Sequence, residues 1–143
     1  VVKASKKELF ANDFAVFKAF CDVEIAMSAH VLFEAIDPNS VASTSKIMID
    51  IIRNDLNFSG LLISDDISMD ALPGDIKKRT TNLVEAGNDV IMHCNGDLLE
   101  MKEIINSGVV PNTLALSRMA SVIEERKKIE HNKIMNLESS QSS

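Results

Sequence analysis

Basic residues are in short supply. Fifteen Lys and Arg face twenty-one Asp and Glu, for a formal net charge of −6. Binding nucleic acid by neutralising phosphates needs the opposite balance, so no nucleic-acid partner is expected. Long apolar runs are missing as well. No stretch approaches the roughly 20 residues that cross a bilayer, which argues against a membrane partner. The two cysteines, Cys21 and Cys94, fall in no metal or redox pattern and read as the reduced thiols of a cytosolic protein. No methionine leads the chain, and Val1-Val2-Lys3-Ala4 has none of the character of a signal peptide. The beginning reads as cut from something longer.

What is present is a core. Hydrophobic residues make up 45% of 143, enough for one globular domain. One stretch organises it: Gly60-Leu61-Leu62-Ile63-Ser64-Asp65-Asp66-Ile67-Ser68-Met69. An apolar run leaves a glycine and ends in two carboxylates, the pattern of a buried strand whose tip opens into a polar site. Strand residues alternate faces, so Leu61, Ile63 and Asp65 share one and Leu62, Ser64 and Asp66 the other. Adjacent carboxylates repel and lose solvation, and chemistry or ligand binding is the first candidate for what offsets this.

The remaining elements follow from periodicity. Ser5-Lys6-Lys7-Glu8 is a capping box, and Leu9, Phe10, Phe14 and Phe17 line a core-facing helix over Lys6–Phe20. A strand runs from Val23 and ends near His30. A loop with Asp37-Pro38-Asn39 leads to a helix over Lys46–Asn57. The central strand covers Gly60–Asp65. Asp75 caps a helix that Gly87 stops, and a third strand covers Asn88–Cys94. A helix over Asp97–Ser107 turns Leu98, Met101, Ile104 and Ile105 inward. A last helix runs from Pro111-Asn112 to about Met135. Residues 1–137 form the domain, and Glu138–Ser143 reads as a disordered, serine-rich tail.

Strand centres lie about thirty residues apart, the size of a βαβ unit. The fold class is therefore α/β, with about three parallel strands, right-handed crossovers and flanking helices. Polar residues end each strand: His30, Asp65-Asp66, and His93-Cys94-Asn95. Sites in parallel α/β folds lie at that edge.

The order Met27-Ser28-Ala29-His30, Ile36-Asp37-Pro38, Ser45, Leu56-Asn57-Phe58-Ser59-Gly60, Ser64-Asp65-Asp66-Ile67-Ser68-Met69, Glu85-Ala86-Gly87-Asn88-Asp89 resembles glycoside hydrolase family 3. The likeness is to its β-N-acetylglucosaminidases of bacterial peptidoglycan recycling. It runs from about Val1 to Arg126. It implies the C-terminal portion of a (β/α)8 TIM-type barrel, a fold that takes roughly 250 residues when whole. It also implies that the family's lysine–histidine motif and Asp-Ser-His loop, with the general acid/base histidine, belong to an upstream half outside this sequence. That half is the partner the resemblance implies, and with no targeting segment in view the location it implies is cytoplasmic.

By the same resemblance, Asp65 is the catalytic nucleophile of a retaining hydrolase that acts on amino-sugar or muropeptide substrates and needs no cofactor and no metal. His30 and Met69 are the candidate substrate-binding residues. The residues themselves leave alternatives open. Asp65 could cap the following helix, His30 could be structural, and Met69 could be core. Asp66 reads as the acceptor that fixes the turn. His93, Cys94 and Asn95 read as structural, and Arg53 as a surface or rim charge. Arg126-Lys127-Lys128 beside Glu124, Glu125 and Glu130 reads as a solvated helix face. A non-catalytic truncated barrel that serves in binding or assembly is the alternative to the enzyme. A receiver-type Asp-Asp phosphoryl site is disfavoured because the third strand does not end in lysine.

Overall fold

Three parallel strands, β1 (Ile25–Ser28), β2 (Leu61–Asp66) and β3 (Val90–Met92), lie side by side in chain order. The computed structural model describes the backbone of residues 1–141 and the side chains of residues 1–130 and 132. β1 pairs with β2 in continuous register from Ile25↔Leu61 to Ser28↔Ser64. Between β2 and β3 the register slips, with Ile63 opposite Val90 but Asp66 opposite Met92. One extra residue of β2 is therefore accommodated over Ser64 and Asp65, a bulge beside the candidate nucleophile.

The expected capping box is present at Ser5, whose hydroxyl and backbone N–H both meet the Glu8 carboxylate. The helix it starts does not run unbroken to Phe20. It divides at Asn12 into α1 (Lys6–Ala11) and α2 (Asp13–Ala19). Leu9 and Phe14 are buried, with Phe10 and Phe33 edge-on to Phe14, but Phe17 is exposed. The break rotates α2, so the aromatic stripe does not continue onto one face.

Ser45 caps α3 (Lys46–Asp50), which widens into a π-helical turn over Ile51–Asp55. Leu62 of β2 packs with Ile49, Phe58 and Ala86 against the helix layer. Gly60 precedes β2 because nothing larger fits. A Cβ there would stand 2.5 Å from the Glu24 carbonyl oxygen and 2.7 Å from that of Val23.

Asp75 caps α4 (Ile76–Ala86), and Gly87 closes it at φ 113°, as the sequence predicts. Asn88 then seals the join between layers. It accepts from the Ser28 hydroxyl and donates to the Ser43 and Leu83 carbonyls. Asp97 caps α5 (Leu98–Asn106). Its expected inward face is only partly realised, since Leu98 and Ile105 are exposed.

The last helix, α6, spans Thr113–Gln141. It passes the expected stop near Met135, so the backbone of the expected tail is helical as far as Gln141. Ser142 and Ser143 lie outside the described residues. Arg126, Lys127 and Lys128 pair with Glu130, Glu124 and Glu125 on the solvated face of α6. No helix among the described residues is long and apolar enough to cross a membrane.

Candidate active site

All three strand ends meet at one edge. Asp66, the last residue of β2, joins them. Its backbone carbonyl accepts from Nε2 of His30, just past β1, at 2.9 Å. Its Oδ1 accepts from the backbone N–H of Cys94, past β3, at 3.1 Å and from that of Ser68 at 3.1 Å. Its Oδ2 accepts from the Ser68 hydroxyl at 2.6 Å. The acceptor role expected of Asp66 is thus filled. Burial alone pushes this carboxyl up. The Ser68 hydroxyl and N–H, the Cys94 N–H and the nearby His93 together outweigh that and hold it below the usual aspartate value.

Asp65 is bound differently. Its Oδ1 accepts from the backbone N–H of Asp66 at 2.9 Å, and Oδ2 has no hydrogen-bond partner among the described residues. The residue is half-buried. One oxygen is anchored and the other is available. Ser64, fully buried, stabilises the bulge from behind. Its hydroxyl donates to the Asp65 carbonyl at 2.8 Å and accepts from the Met92 N–H at 3.2 Å. A side chain thereby satisfies backbone groups that the register slip would leave without ladder partners.

Met69 follows the turn and is partly exposed, and its carbonyl accepts from Arg79. The side chain of His93 is buried and its Nε2 meets Glu100 at 2.8 Å, while Asn95 donates to the same carboxylate. His93 Nδ1 has no hydrogen-bond partner among the described residues. His93 and Asn95 therefore brace α5 to the strand end. No group of three or more metal-type side chains is assembled among the described residues.

Arg53 departs from what its position in the sequence suggests. It is not a rim charge. Its side chain is largely buried and stacks on Phe58, and it donates to the Gly60 carbonyl and to Asp89. Asp89, whose side chain is 2% exposed, also accepts from Arg118 of α6 and from the Leu62 N–H. This network sits at the opposite end of the strands from Asp65. Two signals pointed to it. Arg53 lies four residues after Ile49 and three before Leu56, hence on the buried helix face. Asp89 opens a strand, where a carboxylate must be paired if it is buried.

Comparison with known proteins places the chain in a family. The model of the glycosyl hydrolase family 3 N-terminal domain matches residues 1–124. A beta-hexosaminidase of Nitrosomonas eutropha is 38% identical over 88 residues, which cover 59% of this chain and 25% of that protein. The native NagZ structure from Neisseria gonorrhoeae superposes with a TM-score of 0.71 at 30% identity, over 82% of this chain and 34% of its own. A family 3 beta-N-acetylglucosaminidase from a Paenibacillus species shares the fold, with a TM-score of 0.79 at 22% identity over 88% of this chain and 27% of its own. The chain thus spans only about a quarter to a third of these relatives. With the three-stranded parallel sheet, the Asp65-Asp66 tip and a family match over most of its length, the chain belongs to glycoside hydrolase family 3, as part of the N-terminal domain.

Proposed function

We propose that this chain is the nucleophile-bearing portion of a retaining β-N-acetylglucosaminidase barrel, acting on terminal β-linked N-acetylglucosamine of peptidoglycan-derived sugars in the cytoplasm. The observation that carries the proposal is the Asp65 carboxylate. It stands at the C-terminal tip of the central strand with Oδ1 held by a backbone N–H and Oδ2 unengaged. In the reaction an Asp65 oxygen bonds to the anomeric carbon as the bond from that carbon to the leaving oxygen breaks. The leaving oxygen takes a proton from a general acid, which the family resemblance places outside this chain. Water then hydrolyses the glycosyl ester, releasing the sugar and restoring the carboxylate. Met69 forms part of the apolar wall of the sugar pocket.

The partner is the rest of the barrel. β1 is an edge strand, and an apolar cavity of about 360 Å³ opens beside it, lined by Phe14, Phe17, Phe20, Val23, Met27 and Phe58 among others. Parallel strands are ordinarily covered on both faces, and this surface suits an adjoining strand and helix. The same cavity supports the second reading, in which the chain serves only as an assembly module.

Release of an aryl leaving group from activated N-acetylglucosaminides tests the proposal. The chain alone is expected to be inactive, because general acid–base assistance is worth about 10²–10⁴-fold and most sugar contacts would also be missing. Joined to the upstream half of a relative's barrel, it should turn over, and Asp65→Ala should abolish that turnover. Full activity of Asp65→Ala in the joined protein would sink the assignment. An inactive joined protein that is folded would favour the assembly reading.

A further inference from the structure

His30 sits at the site edge, where a sugar contact is the obvious role, but both ring nitrogens are already engaged. Nε2 faces the Asp66 carbonyl at 2.9 Å, and Nδ1 faces the hydroxyl of fully buried Ser43 at 2.6 Å. A carbonyl only accepts, so Nε2 carries the proton. In the neutral ring Nδ1 is then an acceptor, and the Ser43 hydroxyl donates to it. No ring nitrogen is left over for a sugar hydroxyl.

We propose that His30 is a positioning residue for Asp65 and not a sugar ligand; the inference rests on Asp65 being the nucleophile. The path is short. His30, just past β1, holds the Asp66 carbonyl, which also accepts from the Met69 N–H at 3.2 Å, and Cys94, just past β3, holds the Asp66 carboxylate. Asp66, so fixed, presents its N–H to Oδ1 of Asp65. That leaves Oδ2 as the attacking oxygen and sets its direction. Ser43 is itself locked. Its N–H donates to the Ala29 carbonyl, and its own carbonyl accepts from Asn88. The His30 ring is therefore held on both nitrogens, by the hydroxyl of fully buried Ser43 and by the backbone of half-buried Asp66.

Two polar substitutions of similar bulk separate the ring atoms. In His30→Gln the amide nitrogen reaches about as far as Nε2 and can still donate to the Asp66 carbonyl. In His30→Asn it reaches only as far as Nδ1, which keeps contact with Ser43 but not with Asp66. The measurements use the joined protein, with Asp65→Ala as control and an aryl N-acetylglucosaminide as substrate. A displacement of about 1 Å at a reacting group can cost on the order of 10²-fold, so His30→Asn should lower kcat by about that factor. KM should stay within about threefold of wild type, and His30→Gln should recover most of the loss. Nitrogen-15 shifts of the His30 imidazole should report the Nε2–H tautomer. A KM raised tenfold or more in both variants with kcat kept would make His30 a sugar ligand and overturn the inference. So would an Nδ1–H tautomer. If Asp65→Ala keeps full activity, the glycosidase reading fails and this inference falls with it. If that control behaves and only the His30 pattern fails, the glycosidase reading stands.

Discussion

Arg53 donates to Asp89 across 2.6 Å, at the end of the sheet opposite Asp65. The strands thus carry two polar clusters of different character. The one at their C-terminal tips is half-open and leaves a carboxylate oxygen free. The one at their N-terminal ends is closed, with Asp89 taking bonds from Arg53, Arg118 and the Leu62 N–H. In parallel barrels in general, sites lie at the C-terminal ends of the strands and the opposite face serves stability.

The first prediction concerns that closed end. Burial pushes Arg53 down; Asp89 pulls it back, with Arg118 adding to the downward push. Removing one member leaves a buried charge uncompensated, which costs about 3–5 kcal/mol. Asp89→Ala in the joined protein should lose stability in that range by urea unfolding. Among molecules that remain folded, kcat should be unchanged. A loss below about 1 kcal/mol would show that the network is not buried in solution.

Gly60 provides the second. The Glu24 and Val23 carbonyl oxygens lie too close to admit a Cβ. Both are backbone atoms where β1 begins to pair with β2, so the clash cannot be relieved by a rotamer change. Gly60→Ala should destabilise by about 1–3 kcal/mol, the usual range for overpacking. Thermal melts of the joined protein check it, and an unchanged midpoint would contradict the close approach.

The third uses the Asp66 carboxyl, which the Ser68 and Cys94 donors hold below its ordinary value despite burial. A carboxylate with a lowered folded pKa stabilises the fold above the unfolded pKa of about 3.9 and loses that contribution as pH falls through the folded pKa. The stability difference between wild type and Asp66→Asn should therefore be full at pH 6 and shrink as pH drops below about 4. Urea midpoints for both proteins from pH 6 to pH 2.5 would show it. A difference that grows on acidification would reverse the sign and refute the assignment.

Some of this was legible in the residues and some was not. The three strands and their order followed from the spacing of apolar runs, because parallel βα units have a minimum length that few other topologies share. Asp65 and Asp66 stood out because carboxylates rarely end a buried strand without a reason. The bulge at Ser64 and Asp65 left no such trace, since it depends on the register with β3. Periodicity placed Phe17, Leu98 and Ile105 inward, yet all three are exposed. An apolar helix face announces that it seeks cover, not that this chain supplies it. Arg53 misled for the converse reason, because a charge on a helix is solvated far more often than it is sealed against a buried aspartate.

The last prediction follows from those uncovered faces. On and beside β1, Phe17, Phe20, Val23, Ile25 and Met27 are all exposed, and among the described residues β1 has a partner strand on one side only. An apolar edge strand is a template for pairing with another chain. The net charge of −6 opposes association, but only as a diffuse repulsion that salt screens within about 10 Å at 0.1 M. Backbone pairing and apolar contact act at shorter range and should win. The isolated chain should therefore sediment as oligomers whose size grows with concentration and salt. Met27, 57% exposed on β1, is where a charge would interfere most directly. Met27→Lys should shift the population toward monomer, whereas Leu98→Lys, on α5 and away from that edge, should do so less. Analytical ultracentrifugation at two salt concentrations distinguishes the cases. A wild-type chain that remains monomeric throughout would mean that the β1 edge is protected in some other way.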